Sequence, residues 1–309
     1  MTSAPELTVV VVSFNTARLL EACLVALERS LAASPELRAR VVVVDNASRD
    51  GSPDLVRKRF PSLELRALDR NLGFAAANNL VLRELDSPFA LLLNPDTEVI
   101  GDAPAALVRF LRAHPRAGVV GGRLVYGDGS FQHSCFAFPT LAMSFLDFFP
   151  LNHRLIDSRL NGRYPRGWYE RDFQIGHPLG AGMAVRRSAL DQAGLMDEGF
   201  FMYCEEVDLC RRIRAAGWEI WYSPDATIVH HEAQATRQFR GEMLLQLHKS
   251  RFRFFSKHYP PVYGRVARAI VRLGLLRDLI RSAAGRVRGD VDAGEWRRRR
   301  RVYERLLAL

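Results

Sequence analysis

Phe89-Ala90-Leu91-Leu92-Leu93-Asn94-Pro95-Asp96 reads as five apolar residues that stop at a polar turn carrying a carboxylate. A short continuous apolar run of this kind suits a parallel strand covered on both faces. In an open α/β sheet, a carboxylate at the C-terminal end of such a strand points into the crevice where ligands bind. A second acidic station, Glu205-Glu206-Val207-Asp208, follows the apolar Phe200-Phe201-Met202-Tyr203. The first station suits a metal and phosphates, and the second can supply a general base for an attacking hydroxyl. Together they point to group transfer from a phosphorylated donor.

Working outward toward the N-terminus, Leu7 to Ser13 and Arg40 to Val44 are β-branched runs of the same buried type, and Leu63 to Leu68 is a further candidate strand. Between the first two, Leu19, Leu20, Cys23, Leu24, Leu27 and Leu31 fall at helical spacing, and Gly73 to Leu85 reads as another helix. The alternation implies a parallel sheet with right-handed crossovers. Toward the C-terminus, Pro104 to Ala113 reads as a helix, and Gly118 to Val125 and Thr227 to Val229 as strands. From Tyr126 to Phe173 the pattern dissolves into Gly, Pro, aromatic and basic residues, as expected of a mobile or acceptor-facing segment.

The chain has 309 residues, 48% apolar and 25% charged, enough for one large α/β domain or two smaller ones. The apolar-leaning stretch from Phe136 to Leu146 is far short of the roughly 20 residues a membrane span needs, so no transmembrane helix is expected. The first residues lack a basic signal-peptide region, which leads us to expect a cytosolic protein. Cys23, Cys135, Cys204 and Cys210 are scattered without a C-x-x-C pair and read as reduced.

Charge is unevenly placed. Arg240 to Leu309 holds 18 Lys or Arg against 6 Asp or Glu, a net of +12 out of a total of +10, leaving −2 for the rest. Within that tail, Val262 to Ala284 interleaves Val266, Ile270, Leu273, Leu276 and Ile280 with Arg265, Arg268, Arg272, Arg277 and Arg281, and an Arg297 to Arg301 run follows. This reads as a basic amphipathic helix for an anionic lipid surface, the alternative being a solvated helix packed on the main domain. No nucleic-acid motif accompanies the charge, so nucleic acid is not expected as a partner. The expected organisation is a catalytic domain over residues 1–235 and a basic helical extension over 236–309.

Asp45 ends the Val41 to Val44 strand, where its carboxylate can accept the imide N–H of uracil or thymine or can cap the following helix. Asn71-Leu72-Gly73-Phe74 opens a helix with a glycine that permits close backbone approach to a ligand. Asp96 is a hard oxygen ligand, and His230, at a strand end, can add an imidazole that leans the metal toward manganese. Asp208 lies three and four residues from Arg211 and Arg212, so a helix ion pair competes with a role in the site.

The ordered set Val12-Ser13-Phe14-Asn15, Val44-Asp45-Asn46-Ala47-Ser48, Asn71-Leu72-Gly73-Phe74, Leu93-Asn94-Pro95-Asp96, Gly180-Ala181-Gly182, Phe201 to Leu209 and Val229-His230-His231 resembles the family 2 glycosyltransferases with a GT-A fold, most of all their rhamnosyltransferase-like branch. The resemblance implies a Rossmann-like, mostly parallel sheet flanked by helices. It also implies metal-dependent, inverting transfer of a rhamnose-like or other hexose from a dTDP- or UDP-linked donor to a glycan or lipid-linked glycan. By residue, it implies that Ser13, Asn15, Asp45, Asn71, Gly73, Asn94 and Asp96 bind the donor. Asp96 with His230 would hold Mg or Mn. Gly180, Ala181, Gly182 and Asp208 would lie on the acceptor side, and Glu206, or else Glu205, would be the base. Two departures stand out: the family's Asp-x-Asp is Asn94-x-Asp96 here, and its Glu-Asp at the base is Glu205-Glu206. A sugar nucleotidyltransferase and a non-catalytic membrane-surface protein are the rival readings. The first normally carries a Gly-rich loop where this chain has Ser13 to Arg18.

Overall fold

The computed structural model describes residues 4–231, 240–290 and 292–307. The first elements of the chain are β1 (Leu7–Ser13), α1 (Ala17–Ala32), β2 (Ala39–Asp45), α2 (Ser52–Arg59), β3 (Glu64–Ala67), α3 (Phe74–Leu82), β4 (Phe89–Leu93), β5 (Thr97–Ile100), α4 (Ala103–Ala113), β6 (Ala117–Val125), β7 (Phe131–Gln132) and β8 (Cys135–Phe136). They continue with α5 (Leu141–Phe148), α6 (His153–Ile156), β9 (Phe173–Gln174), β10 (His177–Pro178), β11 (Gly182–Arg186), α7 (Arg187–Ala193), α8 (Glu205–Ala215) and β12 (Glu219–His230). Three helices close the chain: α9 (Arg240–His258), α10 (Pro261–Arg288) and α11 (Ala293–Leu307).

The chain folds as two compact units. The first comprises Met1–Phe138, Tyr164–Phe201 and Glu205–Ala235, and the second Pro139–Arg163, Met202–Cys204 and Thr236–Leu309. The boundary expected at residues 235 and 236 lies outside the described residues.

The first unit is built on one sheet in the order β3-β2-β1-β4-β11-β6-β12-β5, with β7 joining β6 and β9 joining β12. The pairs β2–β3, β1–β2 and β1–β4 are parallel, which is the arrangement the β-α-β alternation implies. Every residue of β1 and β4 is buried, as the unbroken apolar runs require of strands with helices on both faces. Trimming one of these leucines, such as Leu91, to alanine is expected to cost about 2–5 kcal/mol through lost burial and the cavity left behind. The α1 stripe Leu20, Cys23, Leu24 and Leu27 packs into this core.

β11 then runs antiparallel between β4 and β6, while β12 lies parallel to β6 and antiparallel to β5. β12 reaches well beyond the expected Thr227 to Val229, because Glu219 to Tyr222 also pair with β6 before an irregularity. Residues 126–173 are not the unpatterned segment the composition suggests. They hold β7, β8, α5 and α6 besides two short 3-10 turns, with Thr140 capping α5 by accepting from the Met143 N–H.

In the second unit α10 packs against α5, α9 and α11. Phe148 of α5 lies so close to Gly274 that a Cβ there would enter its ring. Arg251 pairs with Asp147, and the Tyr263 hydroxyl of α10 accepts from the Leu141 N–H at the start of α5. Phe252, Phe254 and Phe255 of α9 are buried.

Candidate active site

The first unit gathers the loops at the C-terminal ends of β1, β2 and β4, where ligands enter open α/β sheets. At the end of β2, Asp45 is almost fully buried. Its Oδ1 accepts from the Ser48 N–H at 2.9 Å, while its Oδ2 is buried with no protein partner. A buried carboxylate oxygen without a donor costs free energy unless something else donates to it. Asp45 does not cap α2, whose N-cap is Gly51; Asp50, one residue earlier, accepts from the Ser52 N–H at 3.1 Å and hydroxyl at 2.6 Å, and its other oxygen accepts from the Ala17 N–H at 2.7 Å.

Beside it, the buried Ser13 hydroxyl is occupied by the Thr16 hydroxyl at 2.9 Å. Asn15 accepts the Arg49 N–H at 2.8 Å, and its own N–H donates to the Ser48 hydroxyl at 2.8 Å. The β1 and β2 loops are thereby tied into one rim. Asn46 extends the rim to the next loop, accepting from the Leu72 N–H at 2.8 Å and donating to the Gly73 carbonyl at 3.2 Å. Asn71 closes that turn by accepting from the Gly73 N–H at 2.9 Å. Gly73 was expected to allow approach of a ligand. What approaches it is Phe201: a Cβ at Gly73, whose φ is +84°, would run into the Phe201 carbonyl oxygen, which accepts from the Phe74 N–H at 2.9 Å.

At the end of β4, the Asn94 N–H donates to the Ala181 carbonyl at 2.9 Å, so the β4 terminus and the Gly180-Ala181-Gly182 stretch are adjacent. Asp96 is buried, and pairing of β12 with β5 sets His230 opposite Thr97. Asp96 Oδ1 and His230 Nε2 stand 3.6 Å apart, too far for a hydrogen bond. Two ligands with bonds of about 2.1 Å can share one ion while standing up to about 4.2 Å apart. An oxygen and an imidazole nitrogen so placed fit a divalent ion such as manganese. The far ring nitrogen, Nδ1, lies 3.2 Å from the Gln132 amide, which fixes the ring plane. Among the described residues no three His, Cys, Asp or Glu side chains converge as a metal cluster, so further ligands would have to come from a bound diphosphate and water.

At the second station, α8 begins with Glu205 and Glu206. Glu205 is buried with Oε2 unpartnered, and Glu206 is half-buried with its Cγ about where a Cβ on Gly180 would touch it at 3.5 Å. Loss of water pushes the Glu206 carboxyl up to about 7, against the Glu206 and Val207 backbone N–H groups that favour its charge. Glu205 is pushed well above the usual carboxylate range by burial and then by the charge of Glu206. Both carboxyls of the pair therefore resist ionisation, Glu205 through burial and the charge beside it and Glu206 through loss of water. Asp208 is fully buried and accepts from Arg212 Nε at 2.8 Å; Arg212 also donates to the carbonyls of Gly194 at 3.1 Å and Leu195 at 2.7 Å. The ion pair of the sequence reading is what forms, and it pins the turn after α7.

Among the described residues four non-glycine residues have positive φ: Asn15 at 52°, Ala47 at 67°, Tyr203 at 68° and Cys204 at 65°. They sit in the β1 and β2 loops and just before α8. Strain of about 1–3 kcal/mol per residue persists where surrounding structure holds it, characteristically at functional sites. Sequence reading missed Asn46, Asn79 and Gln132 as positioning residues, and saw Arg212 only as an ion-pair partner of Asp208 without the carbonyls it holds. Asn79 brackets Met196, donating to its carbonyl at 2.8 Å and accepting from its N–H at 3.1 Å. The signal available for it was an Asn78-Asn79 pair inside an otherwise apolar helix. The four cysteines are buried and reduced, and burial holds the Cys23 and Cys135 thiols up at about 12, where they are unreactive.

The model of the family described as "Glycosyl transferase family 2" matches residues 8–194, more than half the chain. The chain belongs to glycosyltransferase family 2. It is 31% identical over 246 residues to the N-acetylglucosaminyl-diphospho-decaprenol L-rhamnosyltransferase of Mycobacterium tuberculosis, covering 74% of this chain and 78% of that protein. It is 26% identical to the rhamnosyltransferase WbbL of Escherichia coli, over 60% of this chain and 70% of the relative. Among solved structures, the mannosyltransferase PcManGT of Pyrobaculum calidifontis, in complex with GDP-Man and Mn2+, superposes with a TM-score of 0.55 at 19% identity, covering 99% of this chain and 86% of that one. GalNAc-T7 with UDP, GalNAc and Mn2+ gives 0.52 at 15% identity, over 74% and 44%. These likenesses show the GT-A fold. The protein is a glycosyltransferase of the rhamnosyltransferase-like branch, and the nucleotidyltransferase and non-catalytic readings fall. The family match takes in Asp45, Asn71, Gly73, Asp96 and Gly180 to Gly182, and it ends before Glu205, Glu206, Asp208 and His230.

Proposed function

We propose that this glycosyltransferase moves a rhamnose-like hexose, with inversion, from a dTDP- or UDP-linked donor to a hydroxyl of a glycan or lipid-linked glycan. The observation that carries the reading is Glu206: a half-buried carboxyl at the start of α8, beside Gly180 and raised to about 7, next to the buried carboxyl of Glu205. A group that ionises near neutrality is matched to taking a proton from a hydroxyl.

On this reading Asp45 uses its unpartnered Oδ2 to accept the imide N–H of the pyrimidine, and Ser13 and Asn15 line the nucleoside through the rim they hold together. Asn71, Gly73 and Asn94 border the ribose and phosphates. Asp96 and His230 would hold a divalent ion, Mg or Mn, which when bound offsets charge on the departing diphosphate. The Gly180-Ala181-Gly182 stretch borders the acceptor, with Gly180 against Glu206; the acceptor's hydroxyl proton goes to Glu206 as its oxygen attacks the anomeric carbon from the face opposite the leaving diphosphate. One displacement inverts the centre. Glu205, the more deeply buried of the two, resists charge beside Glu206; Asp208 supports α8 through Arg212.

The relatives' names support rhamnose as donor sugar and a diphospho-decaprenol-linked acceptor, and with them polysaccharide or cell-wall synthesis. An acceptor of that class would be met at an anionic membrane surface, by a peripheral enzyme on the cytosolic face. No helix among the described residues is long and apolar enough to cross a membrane.

The test is a panel of dTDP-rhamnose, UDP-hexoses and GDP-sugars, with Mg, Mn or chelator, read as nucleoside diphosphate release in the presence of a lipid-linked N-acetylglucosamine acceptor. Release from dTDP-rhamnose that needs acceptor and metal is expected. Preference for GDP-sugars would refute the Asp45 assignment, and undiminished release in chelator would refute the metal.

A further inference from the structure

α10 has two apolar faces, and the second unit uses one of them. Gly264, Ala267, Val271, Gly274 and Leu275 are buried against the unit's other helices. On the opposite side Val262, Val266, Leu273, Leu276, Ile280 and Val287 are all exposed, Leu273 by 62% and Ile280 by 60%. Their spacings of four, seven, three, four and seven residues keep them on one line along the helix. The line is about 37 Å long at the helical rise per residue. An open row of large aliphatic side chains on this scale costs free energy in water and marks an interaction surface.

The margins of the row say what covers it. Arg265 and Arg272 flank it on one side and Arg277, Arg281 and Arg288 on the other, read from helical spacing. Arg265, Arg272 and Arg281 form no ion pair among the described residues. The sole acidic residue in the α10 sequence, Asp278, stands 3.8 Å from Arg277. α11 adds exposed Arg297, Arg298 and Arg301 to the same unit. A second copy meeting this face would bring arginines against arginines. Nucleic acid would find phosphate partners but nothing to take the aliphatic row. Aliphatic side chains in line with cationic margins, their guanidinium groups able to reach upward past their own methylenes, are the pattern of a helix lying in the boundary between lipid headgroups and chains.

We infer that the outward face of α10 is a membrane-docking surface that lies in the plane of an anionic bilayer, with Leu273 and Ile280 at its centre. The inference deepens the lipid-linked acceptor reading and draws its purpose from it, but it stands on α10 alone and is tested without any acceptor.

The experiment is sedimentation of the full chain with vesicles of phosphatidylcholine, with and without phosphatidylglycerol. The full chain should pellet with the anionic vesicles at low salt, stay in solution with the neutral ones, and be released by moderate salt. Leu273→Glu/Ile280→Glu should reduce binding by about tenfold or more. Arg265→Gln/Arg272→Gln/Arg281→Gln should reduce it by roughly 100-fold. All five positions lie off the packed face, so melting temperatures equal to the parent's are expected and confirm that the folds are comparable.

A full chain that stays in the supernatant with anionic vesicles overturns the inference, as does a Leu273→Glu/Ile280→Glu protein that pellets like the parent. So does a dimer in size-exclusion chromatography that the same double variant splits, since the face then belongs to a second copy. Transfer to a detergent-dispersed lipid-linked acceptor tests the acceptor reading separately. Activity there without vesicle binding would sink the docking surface alone, and vesicle binding without activity there would sink the acceptor alone.

Discussion

Asp96 and Glu206 are both carboxylates at the edge of apolar segments, and the groups around them differ in kind. Asp96 faces an imidazole at 3.6 Å, held in place by strand pairing between β5 and β12. Among the described residues no cation shifts Glu206; its neighbours include a second carboxyl and a glycine. On the proposed reading a divalent ion would complete the first environment, while the second resists charge until about pH 7. In the proposed function the same functional group holds a donor in one place and removes a proton in the other, with the difference set by partners and burial.

The sharpest way to break this contrast is Glu206→Gln. Turnover should fall by roughly 10²- to 10⁴-fold while nucleoside diphosphate affinity stays unchanged, measured by steady-state kinetics and calorimetry. If Glu205→Gln proves the more damaging change, the base is one residue earlier. Asp96→Ala should do the converse, weakening manganese-dependent diphosphate binding at least as much as the roughly 10- to 100-fold that losing a supporting residue costs metal sites. Binding by calorimetry that is the same in manganese and in chelator for both proteins would remove Asp96 from the metal site.

A smaller effect separates two glycines. Gly73→Ala meets both a positive φ and the Phe201 carbonyl and should destabilise by about 1–3 kcal/mol in denaturant unfolding. Gly180→Ala meets only an ordinary contact with Glu206 and should leave stability within about 0.5 kcal/mol. Equal losses would mean that the Gly73 turn is not held by Phe201. The smallest effect is on stability against pH. Because the folded state raises the Glu205 carboxyl, it binds a proton that the unfolded chain releases as pH rises. That contribution is full below the usual carboxylate range and is lost as pH climbs through the raised value. Glu205→Gln should therefore flatten the decline in melting temperature between pH 5 and pH 8; an unchanged slope would show that Glu205 titrates normally.

Much of this was legible in the sequence because burial on both faces leaves a plain mark. β1 and β4 begin and end where their apolar runs do, and α10 contains the amphipathic segment read from Val262 to Ala284. Strand direction leaves no such mark. Gly182 to Arg186 is a short run that periodicity cannot orient, and its antiparallel place between β4 and β6 comes from pairing distant in sequence. Residues 126–173 were opaque because their elements are two to eight residues long, below the length at which either period shows. At the site, Asp45, Asp96 and Glu206 stood out as acidic residues beside apolar runs. Asn46 and Gln132 hold backbone or ring far along the chain and give no local signal, and Arg212 shows locally only its spacing from Asp208, not the carbonyls it holds.

The pH dependence of turnover at saturating donor, measured from pH 8 down to pH 5.5, tests the division of labour most directly. If Glu206 takes the acceptor proton, turnover is level above its raised value and falls about tenfold per unit below about 7. The apparent value belongs to the Glu205–Glu206 pair. Turnover that stays level down to pH 5.5, with chemistry shown to be rate-limiting, would contradict the account and leave Glu206 without the role its surroundings assign it.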